Sequence, residues 1–170
     1  MRWILDSCTL IYLIKTKLFS KFMDLLKHPL VIDSSVYQEV VIEGKARNYP
    51  YAIEAETVLN KYKISVISID ITPELSRFND AGESSCFILA SDHGICLTSD
   101  DRAYKKFFSK NIKVMRIDSF YFEMVNQNRI NEDEFIKILK QLEKINATKP
   151  KSILFFMEKL KQKREEREND

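Results

Sequence analysis

Along this chain, short apolar runs alternate with longer stretches in which apolar residues recur every three or four positions. Trp3-Ile4-Leu5 reads as a strand ended by Asp6-Ser7, and Leu10 to Ile14 suits a buried helix, which places Asp6 at the junction. Apolar residues at Leu18, Phe22, Leu25 and Leu26 predict a helix over 18–27 that Pro29 closes. Leu30-Val31-Ile32 is a second strand. Asp33-Ser34-Ser35 follows, with Ser35 and Gln38 in capping-box spacing, and opens a helix over 36–42. Ala52, Ala55, Val58 and Leu59 mark a helix over 49–61. The β-branched alternation of 64–69 then marks a strand, and Thr72-Pro73-Glu74 a linking stretch. A helix is expected over 82–93 with Gly94 at its C′ position, then a strand over 95–98, a helix over 102–109, a strand over 112–117 and a helix over 119–127.

Strand and helix therefore alternate five times, and the strands are apolar rather than two-sided. That pattern predicts the α/β class: a three-layer α/β/α sandwich around a mostly parallel five-stranded sheet. The remaining chain is helical, over 131–145, capped by Asn131 with Glu134 three residues on, and over 152–168, with Pro150 between them. The last helix is apolar at Ile153, Phe156, Met157 and Leu160, then becomes a charge run of mixed sign that suits a solvated end. The expected organisation is one domain over 1–128 and a C-terminal helical extension over 129–170, packed on the same domain or on a partner.

Composition narrows the function classes. A chain of 170 residues with 45% hydrophobic content has ample material for a core. A formal net charge of +2 does not mark a strong polyanion binder, so any nucleic-acid footprint has to come from local clustering. Cys8, Cys86 and Cys96 sit in apolar stretches without metal-ligand spacing and read as reduced core thiols of a cytoplasmic protein. Asp6 and Lys15 interrupt the first hydrophobic segment, which is neither a signal peptide nor a membrane span. Glycine occurs only at 44, 82 and 94, which excludes a Gly-rich phosphate loop, and no G-x-S-x-G nucleophile elbow is present. His28 and His93 lack partner spacing and read as surface or capping residues.

Acids are concentrated where an α/β sheet binds ligands, at the carboxyl ends of its strands. Asp6, Asp33, Asp100 and Asp118 each follow a strand. Glu83 lies in the first turn of a helix on the face of Phe87 and Ala90, while Asp80 and Glu83 also fit a capping pattern. Glu39 lies on the helix after the second strand, with Glu43 as an alternate on the same wheel. Carboxylates ~5 Å apart at an effective dielectric of ~20 repel by about 3 kcal/mol per pair. Hard divalent cations, which take oxygen ligands, would neutralise such a cluster. A purely structural account, with Asp6, Asp33 and Asp100 as helix caps, suits each of these one at a time but not Glu39.

Four segments carry a resemblance to a known family: Ile4-Leu5-Asp6-Ser7, Ser35 to Val41 around Glu39, Ala81-Gly82-Glu83, and Leu97-Thr98-Ser99-Asp100-Asp101-Arg102. In this order the chain resembles the PIN-domain family of metal-dependent ribonucleases, which includes VapC-type toxins, and is closest to the subgroup with "GE" and "DDR" acids. The resemblance covers about residues 1–128. It implies that Asp6, Glu39, Glu83 and Asp100, with Asp101 as a further or alternative ligand, bind one or two Mg²⁺ or Mn²⁺ ions and carry the catalysis. "T-x-D" spacing from Thr98 favours Asp100, and the "D-R" pair favours Asp101. Ser7 would orient the pocket, and Arg102, Lys105 and Lys106, with Lys110, Lys45 and Arg47 nearby, would meet the nucleic acid. The implied activity is endoribonucleolytic hydrolysis of single-stranded RNA, by the toxin of a toxin–antitoxin pair or by a housekeeping RNA-processing nuclease. The alternative is a non-catalytic PIN-fold module that binds RNA or protein. The implied partners are RNA, an antitoxin protein and a second copy of the chain as a homodimer, with no membrane.

Overall fold

Arg2–Leu5 (β1), Leu30–Asp33 (β2), Ser65–Ile67 (β3), Gly94–Leu97 (β4) and Val114–Met115 (β5) form one sheet in the order β3-β2-β1-β4-β5, and every pairing is parallel. The computed structural model describes residues 1–72, Phe78 and residues 81–168. Asp80, Pro73 and Glu74, given a cap and a link above, lie outside the described residues. The chain divides into two compact units, Met1–Ile117 and Asp118–Asp170.

Register explains why the strands read as continuous apolar runs. Ile4 pairs with Val31 on one side and Cys96 on the other, so these three share a face. They are buried with Cys86, Leu89 and Ala90 of the helix Ala81–Ser91 (α6), Phe107 of the helix Asp101–Ser109 (α7), and Phe78. Trp3, Leu5 and Leu97 point to the opposite face and are buried as well. Both faces are therefore covered, giving the α/β/α sandwich of a parallel sheet. The edge strands are shorter than their patterns predict: Ser65–Ile67 within 64–69 and Val114–Met115 within 112–117. Each pairs with a single neighbour, so alternation continues past the last ladder bond.

The remaining helices of the first unit are Ser7–Lys15 (α1), Phe19–Leu25 (α2), Ser34–Tyr37 (α3), Gly44–Ala46 (α4) and Pro50–Lys61 (α5). Between α3 and α4 the chain does not keep the α-helical period. Gln38–Glu43 is a π-helical turn, a distortion that often marks functional positions and that apolar spacing does not reveal. Asp33, not Ser35, caps α3, with its carboxylate accepting from the Ser35 backbone N–H at 2.8 Å. Gly94 is not a C′ residue. α6 ends at Ser91, the left-handed position is taken by His93 at φ 57°, and Gly94 already belongs to β4.

The second unit is helical. Ile117–Asn126 (α8) leads into it, followed by Glu132–Lys144 (α9) and Pro150–Glu168 (α10). Phe122, Phe135 and Phe156, one from each helix, meet with ring centroids 5.2–5.6 Å apart. Asn131 caps α9 by accepting from the Glu134 N–H at 2.8 Å, and buried Asp118 accepts from the Thr148 hydroxyl at 2.6 Å. Part of the terminal charge run is used rather than simply solvated, since Arg164 and Arg167 both bond Glu132. Met157, expected on the apolar face, is exposed, while Phe156 and Leu160 are buried.

Candidate functional site

The strand order reverses at β1, which lies between β2 and β4. A crevice therefore opens at the carboxyl ends of β1 and β4, the usual place for a ligand in an open parallel sheet. Asp6 leaves β1 as the N-cap of α1, its Oδ1 accepting from the Thr9 N–H at 2.7 Å. Asp100 follows β4 as the N-cap of α7, its Oδ1 accepting from the N–H groups of Arg102 at 2.7 Å and Ala103 at 2.8 Å. Glu83 comes from the first turn of α6 and Glu39 from the π-helical turn. All four acids line one cavity of about 420 Å³, together with Ser7, Cys8, Gly82, Arg102 and Lys106. Capping and pocket lining are thus combined in Asp6 and Asp100, because one carboxylate oxygen suffices for the cap.

The acids are held by different partners. Burial pushes the Asp6 carboxyl above the ordinary 3.8; hydrogen bonds from Thr98 and Thr9 oppose this, and the negative charge of Asp100 adds to it. Thr98 connects the two aspartates, since its side chain bonds Asp6 and its hydroxyl accepts from the Asp100 N–H at 3.1 Å. The Ser7 hydroxyl donates to Glu39 Oε2 at 2.5 Å. Lys106 donates to Glu83 Oε2 at 3.0 Å, supplying the positive partner that an acid on the inner side of α6 requires.

Other expected residues stand elsewhere. Asp101 is ion-paired with Arg116 and, like Lys105, is not among the residues that line the cavity. Glu43 pairs with Arg47 at 3.4 Å, and Lys45 pairs with Glu56, so these cations have carboxylate partners of their own. Lys110 lies 6.0 Å from the centroid of the Phe87 ring. Asp33 is buried as a cap and does not line the cavity; its Oδ2 meets no donor among the described residues. Asp118 belongs to the second unit. Cys86 and Cys96 are buried free thiols as expected, but Cys8 is exposed in the cavity, because the first turn of α1 presents it there. Thr98 and Thr9 position the aspartates without standing out among the acids of the sequence, although a threonine two residues before Asp100 and another three after Asp6 are signals of local capping.

A donor set made only of carboxylate oxygens fits a hard divalent cation such as Mg²⁺ or Mn²⁺ in kind. In detail, no group of three His, Cys, Asp or Glu among the described residues stands ready to hold one ion. Glu39 is engaged by Ser7 and Glu83 by Lys106.

The sequence model of a family described as PIN domain matches residues 2–158. The chain belongs to the PIN-domain family. PIN domains are generally nucleases. Comparison with curated proteins gives no match. Among solved structures, this PIN-domain chain is similar to "a domain of a functionally unknown protein from Methanocaldococcus jannaschii DSM 2661", with 16% identity, 68% of this chain and 90% of that chain covered, and a TM-score of 0.49. The family match continues past residue 128, so the PIN-domain pattern includes α9 and the first part of α10. No helix among the described residues is long and apolar enough to cross a membrane.

Proposed function

We propose that this PIN domain is a Mg²⁺- or Mn²⁺-dependent endoribonuclease acting on single-stranded RNA. The observation that carries the reading is the gathering of Asp6, Glu39, Glu83 and Asp100, from four separate segments, around one cavity that Arg102 and Lys106 also line. The four acids would hold one or two ions. When bound, such an ion supplies an acidified water and polarises a phosphate. The protein's own groups do the rest. Ser7 fixes Glu39, and Thr98 fixes Asp6 relative to Asp100. Arg102, in the first turn of α7, offers a planar fork to a phosphate oxygen at the cavity edge. Phosphodiester hydrolysis in this arrangement leaves a 5′-phosphate and a 3′-hydroxyl.

A second reading, a PIN-fold module that binds without cleaving, is favoured by one feature: Ser7 and Lys106 already satisfy Glu39 and Glu83. Cleavage assays separate the two. Single-stranded RNA is incubated with the wild type in Mg²⁺, in Mn²⁺ and in EDTA, and with Asp6→Asn and Glu83→Gln. Metal-dependent cleavage lost in both variants supports the nuclease. RNA binding without cleavage in any metal supports the module. Within the nuclease reading, a small antitoxin gene beside this one argues for the toxin of a type II pair, and its absence for housekeeping RNA processing.

A further inference from the structure

Lys106 brings an ammonium into the acid pocket, where it pairs with Glu83. Its ammonium lies 3.0 Å from Glu83 Oε2 and 4.1 Å from the centroid of the Phe78 ring, which is fully buried. It extends from α7, the same helix that Asp100 caps, so one element brings both an acid and a counter-charge to the cavity. We propose that Lys106 is a displaceable internal counter-cation, which pairs with Glu83 until a divalent ion takes that carboxylate from it. This rests on the metal-binding reading above.

Three physical features make the exchange feasible. The side chains of Lys106 and Glu83 keep 34% and 21% of their exposure, so water reaches the pair and it can open. Lysine is a point charge on a flexible stem rather than a rigid bidentate fork, so it leaves one carboxylate oxygen without breaking a fixed geometry. The face of Phe78 gives the ammonium an attractive surface independent of Glu83. The consequence is competition: a divalent ion gains Glu83 only by parting it from Lys106 and by tolerating a nearby positive charge. The ammonium, once parted from Glu83, remains at the cavity as a contact for phosphate.

The test is calorimetric titration of the full chain with Mn²⁺ at neutral pH. Lys106→Met should bind Mn²⁺ roughly tenfold more tightly than the wild type, since a like charge is removed from a partly buried site. Lys106→Arg, which keeps the charge and can grip Glu83 with two donors, should bind as weakly as the wild type or more weakly. Asp6→Asn should lose the site. Lys106→Gln serves in place of Lys106→Met if thermal melting shows the latter misfolded. Unchanged or weaker Mn²⁺ binding by the neutral variant, with wild-type binding that Asp6→Asn abolishes, overturns the role of Lys106 and leaves the metal reading standing. Absence of binding in both the wild type and the neutral variant overturns the metal reading and this proposal with it.

Discussion

Replacing Gly94 with alanine adds one methyl group where β4 packs closely against α6. That Cβ would lie 2.2 Å from Ile4 Cδ1, 2.8 Å from the Leu89 carbonyl oxygen and 3.0 Å from Ala90 Cα. The first neighbour is the end of a side chain, but the other two are backbone atoms of α6, which can yield only if the helix shifts. Over-packing of a core typically costs about 1–3 kcal/mol, and two backbone contacts place this case near ~3 kcal/mol. For a chain of this length that corresponds to a fall in Tm of roughly 6–12 °C. Ile4→Val removes the Cδ1 atom and by itself costs about 0.5–1.5 kcal/mol. Combined with Gly94→Ala it should recover part of the loss and no more, because the clash with Leu89 persists. The assay is thermal unfolding followed by circular dichroism in EDTA for the two single variants and the double variant. Since α6 carries Glu83 and β4 leads to Asp100, RNA cleavage should fall along with stability. A Gly94→Ala protein that melts within about 1 °C of the wild type, or strictly additive effects with Ile4→Val, refutes this account of the helix–sheet contact.

Three further outcomes follow from the pocket. The Asp6 carboxyl holds its proton above the ordinary 3.8, so between that value and the raised one the native chain carries more protons than the unfolded chain, and stability falls as pH rises through the interval. Asp6→Asn removes both this slope and the remaining desolvation cost of the half-buried charge at neutral pH; it should melt higher than the wild type in EDTA while losing activity, and a lower Tm at neutral pH contradicts the desolvation argument. Ser7→Ala takes the hydroxyl from Glu39 and should cost about 1 kcal/mol in urea denaturation, below the usual range for a bond to a charged group because Glu39 is exposed; an unchanged midpoint and slope counts against it. Arg102→Ala in a Glu83→Gln background should weaken single-stranded RNA binding and reduce the slope of log K against log salt by about 0.7, as measured by fluorescence anisotropy at several salt concentrations; an unaltered slope places Arg102 away from phosphate.

Much of this arrangement is local and so could be read from the chain. Asp6 and Asp100 stand where an apolar run meets a helical period, and the structure makes each the N-cap of the helix that follows its strand. The paired features that decide geometry are not local. Whether Asp100 or Asp101 faces the cavity depends on Arg116, fifteen positions on, which draws Asp101 away. Lys106, a partner of Glu83, lies on another helix, and no spacing within α6 reveals it. Gly94 resembles a helix C-cap by sequence because it follows an apolar helix, yet its role is steric, set by Ile4 on the neighbouring strand. The π-helical turn is hidden for a related reason: apolar residues at Val36, Val40 and Val41 fit an α-period well enough that the wider turn at 38–43 leaves no mark on the pattern.

If these acids support metal-dependent hydrolysis of RNA, the ends of the products report it directly. Single-stranded RNA is incubated with the purified chain in Mn²⁺, and any fragments are mapped for end groups alongside Glu83→Gln and an EDTA control. Hydrolysis by metal-activated water gives 5′-phosphate and 3′-hydroxyl ends, expected only with metal and absent in Glu83→Gln. Cyclic-phosphate ends, or cleavage that persists in EDTA or in the variant, would contradict it.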